Sequence, residues 1–167
     1  MKIYARRYRW YKDLFFQCLI LFDKDIQTTM FDKRWKIIKY FKPSKNMVKY
    51  IAIKEHNGKK TRMGIAKFTR KSLENNFWIA GLVPKKLQDK GVGIYAGIAC
   101  INELFKKHPD CTVFSASRSS NMRAIRTTTS FGFKVLVQDD RHFESSLTKE
   151  QFDNDFVRYI KKRGNII

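Results

Sequence analysis

Between Leu82 and Ala99 the chain reads LVPKKLQDKGVGIYAGIA, and this stretch constrains everything around it. A short apolar strand ends at Val83, a basic loop carries Gln88, and Gly91-Val92-Gly93 opens an amphipathic helix. Glycine at both positions removes the Cβ that would hold a ligand away from the backbone. The helix points its unpaired N–H groups and the positive end of its dipole at the same spot. Strand, loop and helix in this order make a pyrophosphate cradle. The helix also needs a sheet to lie on, because Ile94, Ile98, Ile101 and Phe105 fall on one of its faces.

Two familiar glycine motifs do not fit. Gly91-x-Gly93-x-x-Ala96 has the outline of a dinucleotide fingerprint, but seven residues, Pro84 to Lys90, separate the strand from the first glycine. The acid expected about 20 positions on should end the next strand, whereas Asp110 precedes the segment Thr112–Ser117. A P-loop is excluded because no Gly-Lys-Ser/Thr follows.

The rest of the chain reads as an α+β fold in one domain spanning residues 1–167. Strand patterns cover Lys2–Trp10, Met47–Ile53, Arg62–Phe68, Asn76–Val83, Thr112–Ser117, Phe133–Val137 and His142–Leu147, with His56-Asn57-Gly58 as a hairpin turn. Helix patterns cover Leu14–Phe22, with Asp13 as its start, then Arg34–Phe41, Gly93–Phe105, Asn121–Phe131 and Lys149–Lys162. The apolar run Leu14–Phe22 is far shorter than the roughly 20 residues a bilayer requires. The opening MKIYARRYRWYK is basic and aromatic, and no apolar run with a cleavage site follows soon enough for a signal peptide. Cys18, Cys100 and Cys111 have no paired or metal-ligand spacing, so no metal is expected and the expected location is cytoplasmic.

Lysine and arginine outnumber the acids 35 to 15, a formal net charge of +20. The excess is concentrated in the first hundred residues, and such a field favours anionic partners. Nucleic acid is one such partner, although no motif supports it.

One pattern accounts for the loop: Gln88-x-x-Gly91-x-Gly93, with Val83 eight residues before the first glycine. It resembles the acyl-CoA-binding signature of the GCN5-related N-acetyltransferase (GNAT) superfamily. A second segment, from Asn121 and Ala124 to Gly132-Phe133, resembles that family's other cofactor-binding element. The resemblance implies a mixed, mostly antiparallel central sheet splayed at the middle, with helices on both faces. It implies acetyl-CoA, or another short acyl-CoA, as co-substrate. Gly81, Leu82 and Val83 would pair with the pantetheine amides. Gln88, Asp89, Lys90, Gly91, Val92, Gly93 and Ile94 would hold the pyrophosphate, with Lys85 and Lys86 nearby. Asn121, Arg123, Ala124 and Arg126 would contact the remainder of the cofactor.

The resemblance breaks at the acid. The tyrosine usual in the family falls at Thr128, whose hydroxyl is a far weaker acid than a phenol. Tyr95 or a water is an alternative donor. No carboxylate lies in Phe77–Gly81, the usual place for a base, which leaves His142 and Glu144, two apart on one strand face. Ser115 and Ser117 are candidates to line the acceptor site. The function implied is an N-acetyltransferase acting by direct attack of a primary amine. The acceptor is a small or nucleotide-linked amine, an anionic one included, or a peptide amine. A non-catalytic module binding CoA or nucleic acid on the same fold stays open, and the sequence is silent on oligomeric state.

Overall fold

The computed structural model describes residues 1–23, 44–70, 75–88 and 91–155. The expected helix Arg34–Phe41 lies outside them, as does the expected helix Lys149–Lys162 beyond residue 155. Seven strands form one sheet: β1 (Lys2–Arg7), β2 (Met47–His56), β3 (Lys59–Arg70), β4 (Asn76–Leu82), β5 (Thr112–Arg118), β6 (Lys134–Gln138) and β7 (His142–Leu147). Their order is β1-β2-β3-β4-β5-β7-β6. Every neighbouring pair is antiparallel except β4–β5. The helices are α1 (Trp10–Leu21), α2 (Val92–Lys107), α3 (Met122–Ser130) and α4, described over 149–155. The expected fold class is the one observed.

Strand alternation divides the core in two. Ile3, Ala5, Tyr50, Ala52, Ala66, Phe68, Phe77 and Val113 turn to one face, where Ile98, Ile101, Leu104 and Phe105 of α2 pack on them. Fully burying such side chains stabilises by roughly 1.5–3 kcal/mol each. On this side α4 contributes the buried Phe152, whose ring centroid lies 5.4 Å from that of Phe105. Thr148 and Gln151 trade hydrogen bonds at the start of α4, each backbone N–H donating to the other's side chain. On the opposite face Ile51, Ile53, Ile65 and Leu82 are covered by Ile20 and Leu21 of α1.

The β2–β3 hairpin turns at Asn57 and Gly58, both with positive φ (49° and 73°), as the Asn-Gly pair requires. Its strands extend to the turn, so both are longer than the hydrophobic pattern suggests. The register shifts so that Ala52 faces Gly64 and Ile53 faces Arg62. Gly64 is needed there, because a Cβ would lie 2.8 Å from the Leu82 carbonyl oxygen. At the far edge all five residues of β6 are exposed, and its pairing with β7 shifts between Val135 and Val137. Among the described residues no helix is long and apolar enough to cross a membrane.

The first strand and helix correct the sequence reading. β1 ends at Arg7 and α1 begins at Trp10, four residues before the expected Leu14. Asp13 does not cap this helix, because Arg9 occupies the cap position. Its carboxylate is fully buried and serves three elements. It accepts two hydrogen bonds from the Arg6 guanidinium, both 2.7 Å, one from the Arg9 N–H at 2.8 Å, and one from Arg62 Nε at 3.0 Å. Burial alone would raise the Asp13 pKa, but Arg6, the Arg9 N–H and Arg62 together hold it below the usual carboxylate range.

A carboxylate held ionised in this way stabilises the fold at pH values above its unfolded pKa, and that stability is lost as pH falls through the depressed folded value. We expect Asp13→Asn to cost about 3 kcal/mol at pH 7, since two guanidiniums lose their counter-charge. Urea melts from pH 7 down to pH 2 should show the wild-type advantage shrinking below about pH 4. An advantage independent of pH would contradict this role.

Candidate functional site

After β4 the chain passes Pro84 and makes a single 3₁₀ turn, Lys85–Leu87, before Gln88 becomes extended. The Gln88 Nε2 donates to the Val83 carbonyl at 3.0 Å, fixing the loop to the strand end. Asp89 and Lys90 lie outside the described residues. Gly91 sits at the α2 N-cap with φ +70° and ψ 0°, a left-handed conformation that costs other residues roughly 1–2 kcal/mol. At Gly93 an added Cβ would lie 3.6 Å from Val83 Cγ2, an ordinary contact. The protein's own packing therefore does not demand glycine at 93, whereas close approach by an outside group would. The N-cap residue, Gly91, has no side chain with which to cap α2, and the first turn of the helix holds no acid. The N–H groups of Val92 and Gly93 and the positive dipole end thus lie beside the loop that Gln88 ties to the end of β4.

α3 brings the second motif to the same place. The Asn121 Oδ1 caps α3 by accepting from the Ala124 N–H at 3.2 Å. Arg123 Nη1 donates to Gln88 Oε1 at 2.5 Å, linking residues 35 apart in sequence. Arg123 and Arg126 are exposed and Ala124 is half-buried. Four consecutive hydroxyl residues make 127–130 a poor helix on propensity. Thr128, Thr129 and Ser130 donate back to carbonyls three or four residues earlier, which holds the turn. The Thr128 hydroxyl is buried and engaged with the Ala124 and Ile125 carbonyls, both at 3.0 Å. At Gly97 an added Cβ would collide with the Phe131 ring, so this glycine sets how closely α3 approaches α2.

The seam between β4 and β5 carries three register pairs, Asn76↔Thr112, Phe77↔Val113 and Trp78↔Phe114. The last pair stacks, with ring centroids 5.4 Å apart and planes 25° from parallel. β4 runs on to Leu82 and β5 to Arg118, so the two strands diverge above the stack. Gly81 and Leu82 end β4 beyond its pairing with β5 and Val83 follows them, with Gly81 exposed and Leu82 buried. α2 and α3 occupy one face here. On the other face, two residues beyond the stack, stand Ala80 and Ala116, small side chains bordering the opening.

Register then names the flanks of that opening. Ala116 faces Glu144 and Arg118 faces His142 on β7. The His142 Nε2 lies 3.3 Å from Glu144 Oε2, so this expected pair does come together. Asp139 holds the turn before it, accepting from the Arg141 and His142 N–H groups at 2.7 Å each. On the other flank Ala80 faces Lys67, and Lys67 faces Lys49 on β2. Neither lysine carries a sequence motif. Ser115 and Ser117 sit on the face of α2 and α3, opposite to His142 and Glu144, with Ser115 buried. Among the described residues no three His, Cys, Asp or Glu side chains cluster as a metal site.

No family model and no curated protein matches the sequence. Solved structures match the fold. A nucleotide-linked sugar GNAT in its apo form superposes with TM-score 0.71 at 12% identity, covering 96% of this chain and 94% of its own. Spermidine N-acetyltransferase from Vibrio cholerae, with CoA and spermine, gives 0.70 at 11% identity and covers 92% and 99%. An aminoglycoside acetyltransferase with coenzyme A gives 0.67 at 18% identity and covers 92% and 98%.

The Gly97–Phe131 contact should govern how the two motifs meet. Gly97→Ala gains helix propensity of about 1 kcal/mol yet forces the ring aside, so we expect net destabilisation. Phe131→Leu in the same chain should recover part of the loss. A double-mutant cycle by denaturant melts measures the coupling, and strict additivity would refute it.

Proposed function

We propose, for a chain that adopts the GCN5-related N-acetyltransferase fold, that it is an acyl-CoA-dependent N-acyltransferase moving an acetyl group to a primary amine. One observation carries the reading: the N-terminus of α2, opened by left-handed Gly91, packs beside Val83 just past the end of β4, and Gln88 links that strand end to Arg123 of α3. The backbone N–H groups of Gly91, Val92 and Gly93 hold the pyrophosphate, whereas the Ile94 N–H, also expected there, already donates to the Gly91 carbonyl at 3.2 Å; Lys85 and Lys86 add positive charge beside the loop. Gly81–Val83 offer backbone groups to the pantetheine amides where β4 outruns its pairing with β5. Arg123 and Arg126 face the phosphate-bearing end, and the Asn121 cap fixes the helix that carries them. The three unpaired thiols fit a reducing, cytoplasmic setting.

Glu144, held by His142, takes the amine proton as nitrogen bonds to the thioester carbon. The C–S bond breaks and the CoA thiolate leaves. We assign no proton transfer to Thr128, because its hydroxyl is engaged within α3. A thiol with pKa near 8.5 departs without a strong acid, so positioning supplies much of the rate. The second reading, a CoA-binding module without turnover, draws on the same engagement of Thr128. Acetyl-CoA turnover with a panel of primary amines separates the two.

Acetyl-CoA at a hundredfold excess over Kd should raise the wild-type Tm by about 5–10 °C. Gly91→Asp/Gly93→Asp should abolish that shift, and a wild type without any shift overturns the reading. Glu144→Gln should keep the shift and lower kcat by about 100-fold. An unchanged kcat would remove Glu144 from the reaction.

A further inference from the structure

A helix on a protein surface ordinarily turns its polar residues to water and its apolar residues to the core. Helix α1 does not. Its buried residues are Asp13, Gln17, Ile20 and Leu21, so its only carboxylate and its only amide point inward. Arg6 and Arg62 engage the first, and Lys49 the second. The side turned to water carries Trp10, Tyr11, Leu14, Phe15 and Leu19, followed by Phe22, with exposures from 42% to 75%. Tyr11, Phe15 and Leu19 follow at four-residue steps with Phe22 three further on, which aligns them as one ridge about 16 Å long. Lys12 is the one charged side chain that α1 exposes.

The charge beside this ridge has one sign. Arg6, Arg9, Lys12 and Arg62 gather at the start of α1, and the single carboxylate within residues 1–22, that of Asp13, is fully buried among them. Arg9 and Lys12 are exposed, and Arg62 keeps 40% of its side chain in water. A second copy would bring the same cations to the ridge and no exposed acid from residues 1–22. A protein partner would need a groove shaped to a protruding helix. A bilayer needs no such match: rings and aliphatic side chains enter the boundary between headgroups and acyl chains, while lysine and arginine meet anionic headgroups.

We propose that the outer face of α1 docks the protein on an anionic lipid surface, with Trp10, Tyr11, Phe15, Leu19 and Phe22 entering the boundary layer and Arg9 and Lys12 held at the headgroups. The helix has 12 residues, about 18 Å, which is too short to cross a bilayer, so it lies in the plane of the surface. Its inward anchors, Asp13 and Gln17, hold it on the sheet and keep the apolar ridge outward. This surface is independent of the acyltransferase reading.

Co-sedimentation of the full chain with vesicles tests it. Vesicles of phosphatidylcholine and phosphatidylserine at roughly 3:1 should bind the wild type, more weakly as salt rises, and phosphatidylcholine alone should bind it poorly. Phe15→Ser/Leu19→Ser should weaken binding about 100-fold while Tm stays within about 2 °C, because both side chains are already in water. Arg9→Gln/Lys12→Gln should cost about 30-fold on the anionic vesicles only. At saturating lipid the tryptophan emission should shift to the blue, and Trp10→Phe should remove that shift. The proposal falls if the wild type stays unbound at about 0.1 M salt, the outcome expected where residues 24–43 or a protein partner cover the ridge. It falls equally if Phe15→Ser/Leu19→Ser binds as the wild type does, or if both vesicle types bind alike. A wild-type dimer that Phe15→Ser/Leu19→Ser dissociates in sedimentation would assign the ridge to a second copy instead.

Discussion

The β4–β5 seam is the constraint on which the rest of this structure depends. A parallel pair cannot be closed by a hairpin and needs a crossover long enough to hold a helix. Here the crossover holds α2, so the connection that makes the strands parallel also carries Gly91 and Gly93. Because pairing stops after three registers, the strands part where that helix begins. The Trp78–Phe114 stack closes the seam from below and fixes where the opening starts. The glycine-opened helix start and the opening between the strands are thus two results of one connection.

The large positive charge is used in distinct ways. Arg6 and Arg62 are spent internally on Asp13, locking β1, β3 and α1 through one buried carboxylate. Arg123 ties α3 to the loop by donating to the Gln88 amide oxygen. Lys49 and Lys67 are cross-strand neighbours, and Lys49 Nζ also donates to Gln17 Oε1 on α1.

What was legible in the sequence is what depends on near neighbours. The Asn57-Gly58 turn and the α2 stripe are local patterns, and the structure reproduces them. Asp13 was misread because two of its partners lie 7 and 49 residues away, and a buried carboxylate looks like a helix cap until they are placed. Strand parity put His142 with Glu144 correctly. It also put Ser115 with Ser117, but only the positions of α2 and α3 show that this pair faces away from the opening. Lys49 and Lys67 had no signal, because cross-strand register appears only once the hairpin turn and the shift at Gly64 are known.

The edge strand β6 has a consequence of another kind. Val135, Leu136 and Val137 are 49%, 51% and 44% exposed on the outermost strand, a composition that invites another chain to extend the sheet. The irregularity between Val135 and Val137 interrupts the even spacing of donors and acceptors that such growth requires. Lys134 opens the strand, and every copy of the molecule carries the same positive charge. The register shift and the charge thus both work against adding a further strand at this apolar edge.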